Sequence, residues 1–257
     1  PCMGAVGETA AGKAPGMKVL RGSTTPDGGA VSLLGETEPA RMHKAKERVG
    51  VVLDGGLFPD IYKAKEIAMV CKNIFASWQG DVFDAWMRKF ALPTNKKYKE
   101  LSKGMKMKLS IAVALSHGAE LLVLDEATSG LDPVVRSELL DILLDFMQDE
   151  NHAILFSTHI TSDLEQIADE ITFLHKGRVV LQQNKDEILA SYGVLRCGAA
   201  AFEALDKADY VGFRKGGFGY EVLIRDRASY QHTHPDAVID PASLDELMLY
   251  TVKGEAK

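Results

Sequence analysis

The sequence predicts an α/β fold of the doubly wound kind, and three observations predict it. Leu121-Leu122-Val123-Leu124 is an unbroken apolar run, the pattern of a parallel strand covered on both faces. A second such run, Ala153–Phe156, follows after one helix-length interval. Strand and helix patterns then keep alternating from Leu121 to Gln183, which is the order that builds a mostly parallel sheet with helices around it. In that architecture ligands sit at the C-terminal ends of the strands.

Each element has its own local reason. Pro133–Met147 places Val134, Leu139, Ile142, Leu143 and Phe146 at helical spacing, with Asp132 as N-cap and Pro133 in the first turn. An amphipathic helix is expected around Leu164, Ile167 and Ala168. Ile171–His175 and Arg178–Leu181 flank Lys176-Gly177, a two-residue hairpin turn. The stretch from about Gly55 to Gly118 is helical in pattern, contains Trp78 and Trp86 at a spacing near two helical turns, and ends in a Lys-rich approach, Asn95–Lys103. It reads as a helical insertion. After Gln183 a Gly-rich hairpin (Lys215-Gly216-Gly217) and a last helix near Ser243, with Ser243 and Glu246 at capping-box spacing, read as a small separate α/β unit.

The chain has 257 residues, 46% hydrophobic and 26% charged, which is the balance of a globular domain with a small appendage. A formal net charge of −6 gives a polyanion no field to follow, so no nucleic acid partner is expected. Cys2, Cys71 and Cys197 lie too far apart for metal-ligand spacing or a disulfide framework, as in a reducing cytosol. No apolar run reaches the roughly 18 residues of a membrane-spanning helix, so service to a membrane would go through another subunit. His232 and His234 read as surface, Lys96, Lys97 and Lys99 as a solvated face.

Three segments point to chemistry. Gly7-Glu8-Thr9-Ala10-Ala11-Gly12-Lys13-Ala14 approaches the glycine-permitted loop whose amides and lysine meet phosphates. The final position should be Ser or Thr to hold Mg²⁺; it is Ala14, and Pro15 after it has no N–H. Taken alone the segment fits a Gly/Ala-rich surface loop equally well. The apolar strand ending in Asp125-Glu126 can hold a metal-bound water cluster (Asp125) and polarise an attacking water (Glu126), or simply lead into a solvated turn. Leu101-Ser102-Lys103-Gly104-Met105 opens a helix that Ser102 can cap, an anion-ready N-terminus or an ordinary helix start.

The order and spacing of these segments, with Ser129-Gly130-Leu131-Asp132 and Ser157-Thr158-His159 following, resemble the ABC (ATP-binding cassette) ATPase family from about residue 4 to 183. The resemblance implies a P-loop NTPase-type sheet with helices on both faces, a helical subdomain at about 55–118, and an ATP-binding domain over 1–183. A small C-terminal α/β accessory region, 184–257, follows. It implies that Gly7 to Pro15 bind nucleotide, that Leu101–Met105 form the signature reaching a partner subunit's ATP, and that Ser129–Asp132 form the D-loop. Glu126 becomes the catalytic glutamate, His159 the switch histidine, and Asp125 a metal-binding residue. Asp54 stands at the family's Q-loop glutamine and is a second metal-side candidate. The implied cofactors are ATP and Mg²⁺. The implied partners are a second ATP-binding subunit, in a head-to-tail homodimer or heterodimer, and a membrane permease. The tail, Phe218-Gly219-Tyr220-Glu221-Val222-Leu223 with the final helix, resembles ATPases of bacterial exporters with ABC-2-type membrane subunits. Relative to the family pattern, the antiparallel strands expected before the phosphate loop do not precede it here, Lys103 and Met105 depart within the signature, and Asp54 replaces glutamine. Ala14-Pro15 removes a metal ligand and an amide donor, so the alternative is a catalytically impaired nucleotide-binding or structural partner subunit.

Overall fold

A computed structural model of the chain describes residues 1–7, 12–217 and 219–252; Glu8, Thr9, Ala10, Ala11 and Phe218, all named above, lie outside the described residues. The chain opens with strand β1 (Cys2–Gly7), helix α1 (Lys13–Leu20) and helix α2 (Pro39–Lys46), then β2 (Val49–Leu53). Helices α3 (Ala64–Ile74), α4 (Gly80–Lys89) and α5 (Lys103–Ser116) make the predicted helical stretch, with a 3₁₀ turn over Tyr98–Glu100. There follow β3 (Leu121–Asp125), α6 (Pro133–Phe146), β4 (Ala153–Ser157), α7 (Thr161–Ile167), β5 (Glu170–His175) and β6 (Arg178–Asn184).

These strands form one six-stranded sheet in the order β2-β3-β4-β1-β5-β6, parallel except for β6. The doubly wound α/β prediction therefore holds. Lys176 and Gly177 both take positive φ, 48° and 76°, as a two-residue hairpin turn with right-handed strand twist demands. Val52, Leu124, Phe156, Gly4 and Ile171 lie in lateral register, and their four side chains are fully buried at the centre of the core. The next row, Leu53, Asp125, Ser157, Ala5 and Thr172, points to the opposite face, because successive residues of a strand alternate. That row brings a carboxylate and a hydroxyl side by side at the C-terminal edge.

Two local expectations need correcting. Trp78 and Trp86 pack partly buried against the core, but not on one helix as their spacing suggests: Trp78 lies in the loop before α4, where it meets Phe83, while Trp86 lies within α4 against Phe90. Helix α7 stops at Ile167, and Ala168 is already extended, because its chain turns at once into β5.

The tail builds a second, four-stranded sheet in the order β10-β7-β9-β8. Its elements are α8 (Lys185–Ser191), β7 (Gly193–Cys197), α9 (Ala199–Glu203), β8 (Tyr210–Gly216), β9 (Gly219–Ile224), α10 (Arg227–Thr233), β10 (Ile239–Pro241) and α11 (Leu244–Val252). The Ser243–Glu246 capping box is formed, with Glu246 N donating to Ser243 Oγ at 3.2 Å and Ser243 N to Glu246 Oε2 at 2.9 Å. The tail does not have a fully separate core: Ile188, Val194, Leu223, Leu244, Leu247 and Tyr250 belong to the same buried cluster as Phe156 and Leu164. Glu165 of α7 reinforces the junction, accepting from Leu244 N at 2.9 Å through its carboxylate and from Lys185 Nζ at 2.9 Å through its carbonyl.

Candidate functional site

The site lies where β1, β3 and β4 end. Gly12, at φ 100°, immediately precedes α1, and the space a Cβ would need is filled to 3.3 Å by the Cα of Gly177 in the β5–β6 turn. Lys13 and Ala14 open α1, and Pro15 is accommodated in its first turn, where its missing N–H has no helical partner to lose. Lys13 is buried, and its Nζ reaches Glu126 Oε1 at 3.4 Å and the carbonyl of Thr158 at 3.3 Å. His159 Nδ1 meets the other Glu126 oxygen at 2.6 Å. The chain thus joins the predicted phosphate lysine, water-polarising glutamate and switch histidine through one carboxylate.

Glu126 itself takes φ 53°, a left-handed backbone that a side-chain-bearing residue disfavours. It is held there by its amide, which donates to the Ser157 carbonyl at 2.8 Å, and by its own carbonyl, which accepts from Ser129 N at 3.1 Å. Strain of this kind collects at functional sites, where the surroundings over-determine the geometry.

Asp125 lines a cavity of about 280 Å³ with Lys13, Ala14, Asp54, Glu126 and Ser157. Arg21, at the end of α1, adds a second cation to its wall. No cluster of three or more His, Cys, Asp or Glu side chains in metal-holding geometry occurs among the described residues. The cavity therefore fits a hard cation that brings oxygens with it, from water and phosphate, and does not fit a self-sufficient metal site. One observation favours that cation: Ser157 lines the cavity, and its buried Oγ has no hydrogen-bond partner among the described residues.

The signature segment is where the helix-start reading puts it. Ser102 caps α5 by accepting from Met105 N at 3.2 Å, Leu101 is buried, and Ser102 and Lys103 face solvent. Gly104 lies against α6, a Cβ there falling 3.1 Å from Val135. Lys103 forms an ion pair with Asp54, so two of the departures from the family pattern meet each other. Ser129-Gly130-Leu131-Asp132 follows β3 directly, with Gly130 exposed beside Lys103 and Asp132 capping α6 through Val135 N at 3.0 Å.

Sequence reasoning missed a second network beneath these loops. Asp163, 1% exposed, accepts from Thr128 Oγ1 at 2.5 Å and from Arg136 Nε at 2.5 Å, while Arg136 Nη2 reaches Ser162 Oγ at 2.7 Å. Thr128 and Arg136 flank the D-loop segment, and Asp163 sits in the first turn after His159. It also missed an apolar groove of about 460 Å³ under α3, walled by Leu57, Phe58, Tyr62, Val70 and Ile74. The available signal was the apolar spacing of α3, which leaves Met69 and Ile74 more than 60% exposed.

A parallel sheet in which a buried lysine opens the helix after the first strand, with an acid-ended strand two places away across β4, has the arrangement of nucleotide-phosphate-binding α/β proteins. Within that class the chain belongs to the ABC transporter ATPase family, whose family model matches residues 2–129. It is 35% identical over 187 residues to the Nod factor export ATP-binding protein I of Burkholderia orbicola (strain AU 1054), covering 70% of this chain and 61% of that protein. The chain thus spans about three fifths of that relative's length. Among solved structures, an ATP-binding subunit of an ABC transporter superposes with a TM-score of 0.66 at 24% identity, over 73% of this chain and 80% of the other. A dimeric ATP-binding cassette in a post-hydrolysis state with ADP and Pi superposes with a TM-score of 0.62 at 17% identity, over 71% and 84%. Both likenesses concern the fold.

Proposed function

We propose that the chain is the ATP-binding and ATP-hydrolysing subunit of a bacterial ABC exporter, working at the cytoplasmic face of the membrane through a separate ABC-2-type permease. The observation that carries this reading is the convergence of Lys13, Glu126 and His159 beside Asp125 at one strand edge. Lys13 exchanges Glu126 for the β- and γ-phosphates of ATP. Glu126, released from Lys13, accepts a hydrogen bond from the attacking water and polarises it toward the γ-phosphorus. His159, retained within reach of Glu126 and standing at the solvent edge, contacts the γ-phosphate. Asp125, with Asp54 across the cavity, would hold Mg²⁺ through its water shell, and the cation supplies charge neutralisation of the phosphates.

Exposed Ser102, Lys103 and Gly130 and the 76%-exposed Val134 form a face that supports head-to-tail pairing with a second ATP-binding subunit. The apolar groove beside Leu57–Ala64 supports contact with the permease. No helix among the described residues is long and apolar enough to cross a membrane. A similarity to a protein named for Nod factor export supports the outward direction. The test is phosphate release from Mg²⁺·ATP by the complete protein, with and without its permease. Turnover lowered roughly a hundredfold or more by Glu126→Gln and stimulated by the permease is expected. Absence of turnover in both settings favours the second reading, an impaired nucleotide-binding partner, for which Ala14 in the first turn of α1 is the specific observation.

A further inference from the structure

The phosphate loop lacks an oxygen where the cation needs one. Ala14, whose side chain carries no oxygen, lines the cavity, and Pro15 follows it in the first turn of α1. Another residue lining the same cavity carries one. Ser157 ends β4, is 0% exposed, and its Oγ has no hydrogen-bond partner among the described residues. A buried hydroxyl without a partner destabilises a fold, and such groups in native structures call for an explanation.

Three relations fix what this hydroxyl can do. Ser157 is the lateral register partner of Asp125, so the two side chains leave the same face of the sheet. Ser157, Asp125 and Ala14 line one cavity, together with Lys13 and Glu126. The Ser157 carbonyl accepts from Glu126 N at 2.8 Å, which ties the hydroxyl's backbone to the water-polarising residue. Thr172 provides an internal contrast. It occupies the same lateral row two strands away, its Oγ1 is likewise buried and unpartnered among the described residues, and it does not line this cavity.

Resting on the ATP-binding reading above, we propose that Ser157 supplies from β4 the oxygen contact to the Mg²⁺–phosphate assembly that Ala14 does not carry. A hard divalent cation retains several waters and asks for six oxygens around it, so a hydroxyl beside the Asp125 carboxylate takes a hydrogen bond from a water of that shell. The site is thereby specific for metal-loaded nucleotide: the contact is made to the cation's shell and not to the base, sugar or free phosphate. The orphaned hydroxyl is the cost of that specificity in the ligand-free protein.

The experiment compares the parent with Ser157→Ala, Thr172→Val and Ala14→Thr by calorimetric titration with ATP, in Mg²⁺ and in excess EDTA, and by thermal unfolding without ligand. Ser157→Ala is expected to weaken Mg²⁺·ATP by about tenfold, the size of one hydrogen bond to a charged assembly, and to leave metal-free ATP within twofold. Its ligand-free melting temperature is expected to stay level or rise, since an unsatisfied hydroxyl is removed; a misfolded variant moves the other way. Thr172→Val should leave both nucleotide affinities unchanged. In the Ala14→Thr background, where a loop hydroxyl is restored, Ser157→Ala should lose most of its effect. An equal loss with and without metal, or no loss, overturns the assignment while leaving ATP binding standing. A parent that binds ATP under neither condition overturns the functional reading and this one with it.

Discussion

Replacing Glu126 by Gln separates two jobs that the structure gives one carboxylate. Glu126 polarises water in the proposed reaction, and in the ligand-free chain it also holds Lys13 at 3.4 Å. Two unit charges at that distance attract by about 5 kcal/mol at an effective dielectric of about 20, before desolvation is subtracted. The net value of a hydrogen bond to a charged group is about 1.5–3 kcal/mol. Lys13 must give up this contact to take phosphate, so the carboxylate competes with ATP for its own site. Gln keeps the shape and removes the charge. Glu126 is partly exposed, 27% by side chain, so the low end of the range applies, and ATP affinity should rise about tenfold. Turnover should fall by roughly 10²–10⁴, the usual contribution of a positioned general base. ATP should then hold the variant as a stable dimer. Fluorescent-nucleotide titration, phosphate release and size-exclusion chromatography in ATP read the three effects. Parental turnover would refute the assignment of Glu126; weaker ATP binding would refute the competition with Lys13.

The buried Asp163 network makes a stability prediction: Asp163→Ala strands Arg136 and Thr128 and should cost about 3 kcal/mol in urea unfolding, the lower end for a broken buried pair because Arg136 is 28% exposed by side chain. Hydrogen exchange should quicken at 126–132 as well as at 158–164; loosening confined to α7 would show no tie to the D-loop. Gly50→Ala places a Cβ 2.7 Å from Ala114 Cβ, which cannot rotate away, and should lower stability by about 1–3 kcal/mol, read as a lower melting temperature with the fold retained. Burial pushes the Cys2 thiol to about 12 and Cys71 to about 11. A raised thiol pKa means less thiolate in the folded state, so at pH 8 alkylation should reach half-buried Cys197 first and the other two only on unfolding; rapid native labelling of Cys71 would contradict this.

The parts of the molecule legible in the sequence are those whose signal is local. The apolar run of β3, the Asp132-Pro133 start of α6, the Lys176-Gly177 turn and the Ser243–Glu246 box each declare themselves within a few residues, and each is present. What escaped notice is made of partners distant in sequence. Arg136 and Asp163 are 27 residues apart, and Lys13 and Glu126 are 113 apart, though the latter pair could be placed through motif order. Asp54 and Lys103 were each seen as departures, but no periodicity says that they neutralise one another. Ser157 stands in the sequence as a neighbour of His159; its lateral register with Asp125 and its lack of a partner among the described residues are not written in composition. The tail's shared core was hidden for the same reason, since Leu244 and Leu247 look like any amphipathic helix until α7 is placed beneath them.

The junction at α7 has a practical consequence for anyone instrumenting this protein. Seven residues of α-helix span about 10 Å. His159 enters at one end of that short rod, and Glu165 near the other is clamped to Leu244 and Lys185. A probe placed on the outer side of α11 therefore rides on the same lever as the histidine at the nucleotide edge, and it can report that edge without touching it. By the same mechanical logic, a fusion or surface graft on α11 is not a remote modification, and its influence on nucleotide handling belongs among the first controls.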